Sequence, residues 1–377
     1  MAKLGDVFNL QMGKTPARAN LAYWTDGTNE WVSIADLSSY EKYVEGTKEK
    51  ITDLAVQESG IKKISANTVI MSFKLSLGKT AITKTPVYTN EAIMAFLPSG
   101  KYDVCPDYFF YLFSGKDWSE GTNRAVMGAT LNKATLRNIE IDVPPLDEQR
   151  RIAAILDKVT DLINKRRAQL DKLDLLVKSR FVEMFGDCKT NPKRWPVCKL
   201  DEIAEVGSSK RVFVEELQGG PYPLIQTGDV SNSDLYIVEY SSSYSELGFA
   251  QSRLWKAGTL CITIAANIAQ TSILTFDCCF PDSVVGFIPG NETNAIFMHY
   301  WFSFFQKILE EQAPQVAQKN INLKILSNLD IIVPPSALQE QFAQFVNHVI
   351  KVKTSINSSL GKINLIKKAL MTKYYRL

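Results

Sequence analysis

The chain alternates between two kinds of hydrophobic pattern, and it does so twice. Residues 1–142 and 188–332 hold short apolar runs bounded by Gly, Asn, Asp and Pro, the pattern of strands between turns. Residues 143–187 and 333–377 instead carry apolar positions separated alternately by four and by three. In the first stretch these positions are Ile152, Leu156, Val159, Ile163, Arg166, Leu170, Leu173 and Val177. In the second they are Phe345, Val349, Val352, Ile356, Ser359, Ile363, Ile366 and Leu370. Such an alternation averages about 3.5 residues and predicts a long helix that needs a partner helix. A helix of about 40 residues spans about 60 Å. One polar residue interrupts each seam at the same step, Arg166 and Ser359. The pattern leaves the direction of pairing open. In an antiparallel pair the two breaks would lie close together, and Arg166 would either meet polar neighbours or extend its stem to solvent.

Each helical stretch opens on Val-Pro-Pro. The first reads Val143-Pro144-Pro145-Leu146-Asp147-Glu148-Gln149, the second Val333-Pro334-Pro335-Ser336-Ala337-Leu338-Gln339-Glu340-Gln341. Proline has no N–H to lose in a first turn, and it holds the residue before it extended. Asp147, Glu148 and Glu340 then fall near the positive end of the helix dipole. Aligned on the Glu-Gln pairs, the second copy carries two extra residues between its prolines and Glu340-Gln341.

The segments before the helices also match in order. Lys3-Leu4-Gly5-Asp6-Val7 answers Lys199-Leu200-Asp201-Glu202-Ile203, and Ala66–Met71 answers Ala257–Ile262. Aromatic-rich stretches at 108–113 and 297–305 read as packed helices, and Leu131–Ile141 mirrors Ile321–Ile331. Conserved order over this length predicts a duplicated α+β domain, each copy followed by its long helix. The division is 1–142, 143–187, 188–332 and 333–377.

Composition adds limits. At 377 residues the chain exceeds what one core usually serves, and 45% hydrophobic with 22% charged residues argues against overall disorder. No apolar signal core is expected at the N-terminus, and the richest apolar run, Leu260–Phe276, is broken by Asn267, Gln270 and several Thr. The six cysteines form no C-x-x-C pair, and with only His299 and His348 no zinc constellation is expected; reduced thiols in a cytosolic protein are. A net charge of +3 permits a nucleic-acid partner without requiring one.

Catalytic patterns are missing. Gly13-Lys14-Thr15 and Gly78-Lys79-Thr80 imitate the end of a phosphate-binding loop, but Phe8 and Phe73 stand where it needs glycine. The Pro-Pro segments lack the preceding Asn or Asp and the following aromatic of an amino-methyltransferase motif. Pro106-Asp107 and Pro281-Asp282 are not followed by a nuclease-like acid-x-Lys element. Neither histidine lies near an evident nucleophile, and no catalytic residue and no metal ligand is expected in this chain.

The start Pro144-Pro145-Leu146-x-Glu148-Gln149, the run Arg150-Arg151-Ile152-Ala153-Ala154-Ile155-Leu156-Asp157-Lys158, then Lys172-Leu173-Asp174 and Phe181-x-Glu183-Met184-Phe185-Gly186-Asp187 resemble the central spacer of the specificity subunit of type I restriction–modification systems. The second helix lacks the Met-Phe-Gly-Asp ending. The resemblance covers the whole chain. It implies two target-recognition domains on two spacer helices paired as an antiparallel coiled coil, reading the halves of a bipartite, asymmetric DNA target in the cytoplasm. It further implies two methyltransferase subunits that methylate adenine with S-adenosylmethionine, and restriction subunits that translocate and cleave. Cofactors (S-adenosylmethionine, ATP and Mg2+) would then belong to the partners and none to this chain.

Base reading needs Arg, Lys, Asn and Gln at groove edges, and phosphate contact needs basic groups. The first domain offers Lys14, Arg18, Lys74, Lys79, Lys84, Arg124 and Lys133. The second offers Lys210, Arg211, Gln226, Arg253, Lys256, Asn267, Gln270, Gln318, Lys319 and Asn320. Any one of these is also an ordinary solvated side chain; as groups, 74–84 and 315–322 stand out as polar loops between apolar elements. The competing reading is a coiled-coil scaffold that binds proteins without sequence-specific DNA binding.

Overall fold

The computed structural model describes residues 1–74, 76–118, 123–125, 128–209, 217–265, 268–312 and 323–376. The chain divides into two compact units, Met1–Arg167 with Ser358–Leu377, and Ala168–Asn357. Four helices organise them: α1 (Pro106–Gly115), α2 (Leu146–Phe185), α3 (Ala295–Gln312) and α4 (Ser336–Tyr375). The two long helices are thus each shared between the units.

The first unit is built on a five-stranded sheet of β1 (Phe8–Met12), β2 (Tyr43–Val44), β3 (Val69–Ser72), β4 (Thr80–Thr83) and β5 (Ile93–Pro98). Its order is β1-β5-β3-β4-β2, antiparallel except for the parallel pair β2·β4. The second unit repeats this with β6 (Ala204–Ser208), β7 (Tyr236–Ile237), β8 (Leu260–Thr263), β9 (Thr271–Leu274) and β10 (Val284–Pro289). The order is β6-β10-β8-β9-β7, and again the last pair is parallel.

The central strands β3 and β8 are buried throughout and mainly apolar because both faces are covered. Val69 and Met71 point into a core shared with α1 and the ends of α2 and α4, while Ile70 points to the opposite core with Leu37 and Ile64. Leu260 and Ile262 face α3 and the long helices in the second unit, and Cys261 faces Trp255 and Phe280. Aromatic rings fill the first core, with Phe8 against Phe109 at 4.8 Å and Phe96 against Phe113 at 4.6 Å.

Within each unit the long helices run antiparallel. Arg151, early in α2, lies 5.6 Å over the ring of Tyr374, late in α4. In the other unit Phe181, late in α2, meets Phe342, early in α4, at 5.4 Å. The domain side of the contact is also duplicated. Tyr375 packs on Tyr108 of α1 at 4.9 Å, and Phe185 packs on Phe297 of α3 at the same distance.

Each helix start is fastened by a fully buried glutamine. Gln149 accepts from the backbone N–H of Cys105 (2.8 Å) and donates to the carbonyls of Asp103 (2.9 Å) and Pro144 (2.8 Å). Gln339 accepts from Asn294 N–H (3.0 Å) and donates to Glu292 O (2.9 Å) and Pro334 O (2.8 Å). Counted from the prolines, Gln339 and not Gln341 is therefore the counterpart of Gln149, and the expected two-residue insertion is absent. The same count makes Ile356, not Ser359, the counterpart of Arg166.

The seam of α2 includes buried Ile152, Leu156, Ile163 and Val177, with Val159, Arg166, Leu170 and Leu173 half-buried. On α4 the reading is corrected. Val352 and Ile366 are 37% and 53% exposed, whereas Phe342, Val346, Val349 and Ile356 are buried. Phe345, Ser359, Ile363 and Leu370 are half-buried. Counted from the prolines, Phe342, Val346 and Val349 answer Ile152, Leu156 and Val159, so α4 buries the same face as α2, and the seam that began at Phe345 lies out of phase with it. No helix among the described residues is long and apolar enough to cross a membrane.

Candidate nucleic-acid interface

One turn recurs in both units with the same wiring. Between β3 and β4, Lys79 N–H donates to Ser72 Oγ (3.0 Å), Ser72 N–H to Lys79 O (2.8 Å) and Gly78 N–H to Ser72 O (3.0 Å). Between β8 and β9, Gln270 N–H donates to Thr263 Oγ1 (3.1 Å), Thr263 N–H to Gln270 O (2.9 Å) and Ala269 N–H to Thr263 O (2.8 Å). The turn needs a left-handed residue, supplied by Gly78 (φ 79°) in one and by Ala269 (φ 58°) in the other. Alanine is disfavoured there by roughly 1–2 kcal/mol. The backbones of Lys79 and Gln270 are thus fixed. Neither side chain has a hydrogen-bond or ion-pair partner among the described residues.

Most of the other candidate cations are already matched. Arg18 forms a two-pronged ion pair with Glu49, one prong at 3.0 Å, and stacks 3.9 Å over Trp24. Arg253 repeats the arrangement with Glu205 (2.5 Å) and Trp255 (3.9 Å). Lys84 pairs with Glu45 at 2.7 Å, and Lys256 with Asp277 at 2.6 Å. Lys14 Nζ donates to Ser59 O, Gln226 Nε2 to Ser242 Oγ (2.9 Å), and Lys74 lies 5.2 Å over Phe73. Lys133 is exposed at the start of a short helix capped by Asn132. Exposed ion pairs of this kind contribute about 0–1 kcal/mol, so an incoming phosphate can displace the carboxylate at little cost. The side chain of Arg124 lies outside the described residues, as do Lys210, Arg211, Asn267, Gln318, Lys319 and Asn320.

In the second unit Gln270 borders a cavity of about 530 Å³ walled by α3, α4 and the last turns of α2. Its polar lining includes His299, Tyr236, Lys353, Asp174 and Asp234. His299 Nδ1 hydrogen-bonds Thr271 Oγ1 at 3.0 Å; burial pulls its pKa down to about 4, so the ring is neutral at neutral pH. Lys353 bridges Asp174 (2.8 Å) and Asp234 (3.3 Å). Burial opposes its charge, and the two carboxylates outweigh that and raise its pKa.

The first unit holds a comparable network that the sequence did not reveal. Lys42 joins Asp107 (2.8 Å) and Asp157 of α2 (2.5 Å), while Tyr43 and Tyr111 donate to the same two carboxylates at 3.0 and 2.7 Å. Burial works against the Lys42 charge, but those bonds prevail and its pKa is raised. These residues bind the domain to its helix rather than facing outward. The only sequence signal was Asp157 on the flank of the seam. Among the described residues no group of three or more His, Cys, Asp or Glu is arranged to hold a metal.

A duplicated α+β domain, each copy fastened at its C-terminal end to one of two antiparallel helices, defines the class. The family described as "Type I restriction modification DNA specificity domain" matches residues 1–172 and 192–368. The chain belongs to that family, the specificity subunits of type I restriction–modification systems. It is 24% identical to the type I restriction enzyme MjaIX specificity subunit of Methanocaldococcus jannaschii, over 98% of this chain and 91% of that one. It is 28% identical to the EcoR124I/EcoR124II specificity subunit of Escherichia coli over 49% of this chain and 46% of that one. Two solved structures share the fold. One, from work on complex assembly and conformational transition of the type I R-M system, has a TM-score of 0.66 at 18% identity, covering 99% and 96% of the two chains. The other is the S subunit from M. genitalium, with a TM-score of 0.57 at 14% identity and 99% and 95% coverage.

Proposed function

We propose that this chain reads a bipartite, asymmetric DNA target for a type I restriction–modification complex in the cytoplasm. Each globular domain reads one half, and the paired helices set the unspecified spacing between them. Two methyltransferase subunits dock on the scaffold and modify adenine with S-adenosylmethionine. Restriction subunits add ATP- and Mg2+-dependent translocation and cleavage, so the chain itself contributes recognition and no catalytic group. One observation carries this reading: a turn wired by the same three hydrogen bonds presents Lys79 in one unit and Gln270 in the other. One scaffold with two chemistries is what an asymmetric target requires. Lysine suits a phosphate or guanine edge, and glutamine an adenine edge.

The test is duplex binding by the complex of this chain with its methyltransferase across a salt series. A steep fall in affinity with salt, from released phosphate counterions, supports the reading. Stable assembly with no salt-dependent duplex binding favours the protein-binding scaffold instead.

A further inference from the structure

The two long helices occupy equivalent places in a duplicated fold, yet their charges are not equivalent. Counting both from their prolines, Asp157 and Asp174 of α2 correspond to Asn347 and Asn364 of α4. Conversely, Lys353 and Lys367 of α4 correspond to Ile163 and Val177 of α2. One helix supplies carboxylates and the other lysines, at positions along the contact face.

The contacts show what this does. Lys353, with only 18% of its side chain exposed, is held at 2.8 Å by Asp174 across the helix pair, with Asp234 of the domain at 3.3 Å. Lys367 sits half-buried, 5.8 Å over the Tyr111 ring whose hydroxyl donates to Asp157. Burial and the neighbouring Arg167 both disfavour the Lys367 charge, with Asp157 working the other way. Val177 is 3% exposed in the core of the second unit.

We propose that this pattern codes the helix pair for unlike partners, and that the code is one-sided. If a second copy of α4 took the place of α2 in the second unit, Asn364 would replace Asp174 and Lys367 would replace Val177. The partner of Lys353 across the pair would vanish, and an ammonium group would enter a buried apolar position, which is strongly unfavourable. If a second copy of α2 took the place of α4 in the first unit, Val177 would replace Lys367 and Phe185 would replace Tyr375. Both are apolar groups at covered positions, and Asp157 would keep Lys42. The first helix therefore accepts either partner, and the second accepts only the first. The consequence is that one copy of each domain is selected onto the scaffold, with two copies of the second domain excluded. This rests on the fold alone and not on what the domains bind.

Substitutions in the full chain recreate each combination. Asp174→Asn and Val177→Lys give α2 the residues of α4; Lys353→Ile and Lys367→Val give α4 those of α2. Thermal melting is expected to drop by about 4 °C or more for the first pair and to stay within about 2 °C, or rise, for the second. Should Val177→Lys prevent folding, Asp174→Asn alone is read against Asp174→Asn with Lys353→Ile: the second change is expected to recover the loss. Equal losses for both pairs, or no recovery in the combined variant, would overturn the proposal. Duplex binding does not enter either outcome.

Discussion

Gln149 and Gln339 occupy one role at two places in the chain, each joining its helix start to the domain that precedes it through two hydrogen bonds and closing a third on the proline of its own helix start. Both are fully buried. An amide is the one side chain that can accept from an N–H and donate twice at such a junction, so neither Glu nor Leu can substitute.

Replacing Gln149 or Gln339 with Ala is expected to cost about 2–3 kcal/mol, because two carbonyls and one N–H at a partly covered junction lose their partner. Exposed Gln341, which looks equivalent in sequence, is expected to tolerate Ala within about 0.5 kcal/mol. Urea melts of the three variants check this; a large loss at Gln341 with none at Gln339 would reverse the assignment.

The Tyr375 hydroxyl donates to Tyr108 O at 3.0 Å in a buried contact, where the other unit uses Phe185. Tyr375→Phe is expected to cost about 1 kcal/mol. A loss several times larger in chemical denaturation would mean that the hydroxyl does more than this bond.

Acid stability should reflect His299. Its folded pKa of about 4 lies below the ordinary 6.5, so the unfolded chain binds more protons between these values. The stability tied to the neutral ring is present above pH 6.5 and is lost as the pH falls toward 4, by about 3 kcal/mol. His299→Phe is expected to flatten that limb in melts taken from pH 7 to 4. An unchanged limb would place the titration elsewhere.

At the shared turn, Lys79→Ala is expected to weaken duplex binding and reduce the salt slope by about 1 if Lys79 contacts phosphate. Gln270→Ala is expected to leave the slope unchanged and relax one base of one half-target, at about 1–3 kcal/mol. Binding isotherms at several salt concentrations separate the two.

Much of the architecture was legible because burial writes itself as periodicity. The four–three spacing of Ile152 to Val177 marks α2, and the uninterrupted apolar runs around Ile70 and Cys261 mark the covered strands. What failed depended on tertiary context. Gln341 follows a glutamate as Gln149 does, so local sequence favoured it, while Gln339 is singled out only by carbonyls at Glu292 and Pro334. Lys353 and Lys367 stand at seam positions of α4, answering Ile163 and Val177 of α2, so an apolar four–three count favoured the exposed Val352 and Ile366 instead. The site was less legible still. Lys42, Asp107 and Asp157 meet only in the folded chain, and nothing in the sequence says that Arg18 finds Glu49 or Arg253 finds Glu205.

Two domains of one fold, with different side chains at the shared turn, are expected to read different halves of one target. Expressing this chain with its methyltransferase and mapping methylated adenines across the host DNA checks this. A single asymmetric motif is expected, two short defined halves with a fixed gap between them, and a change confined to one half when Gln270 is altered. Methylation without a two-part motif, or a palindromic motif with identical halves, would contradict it.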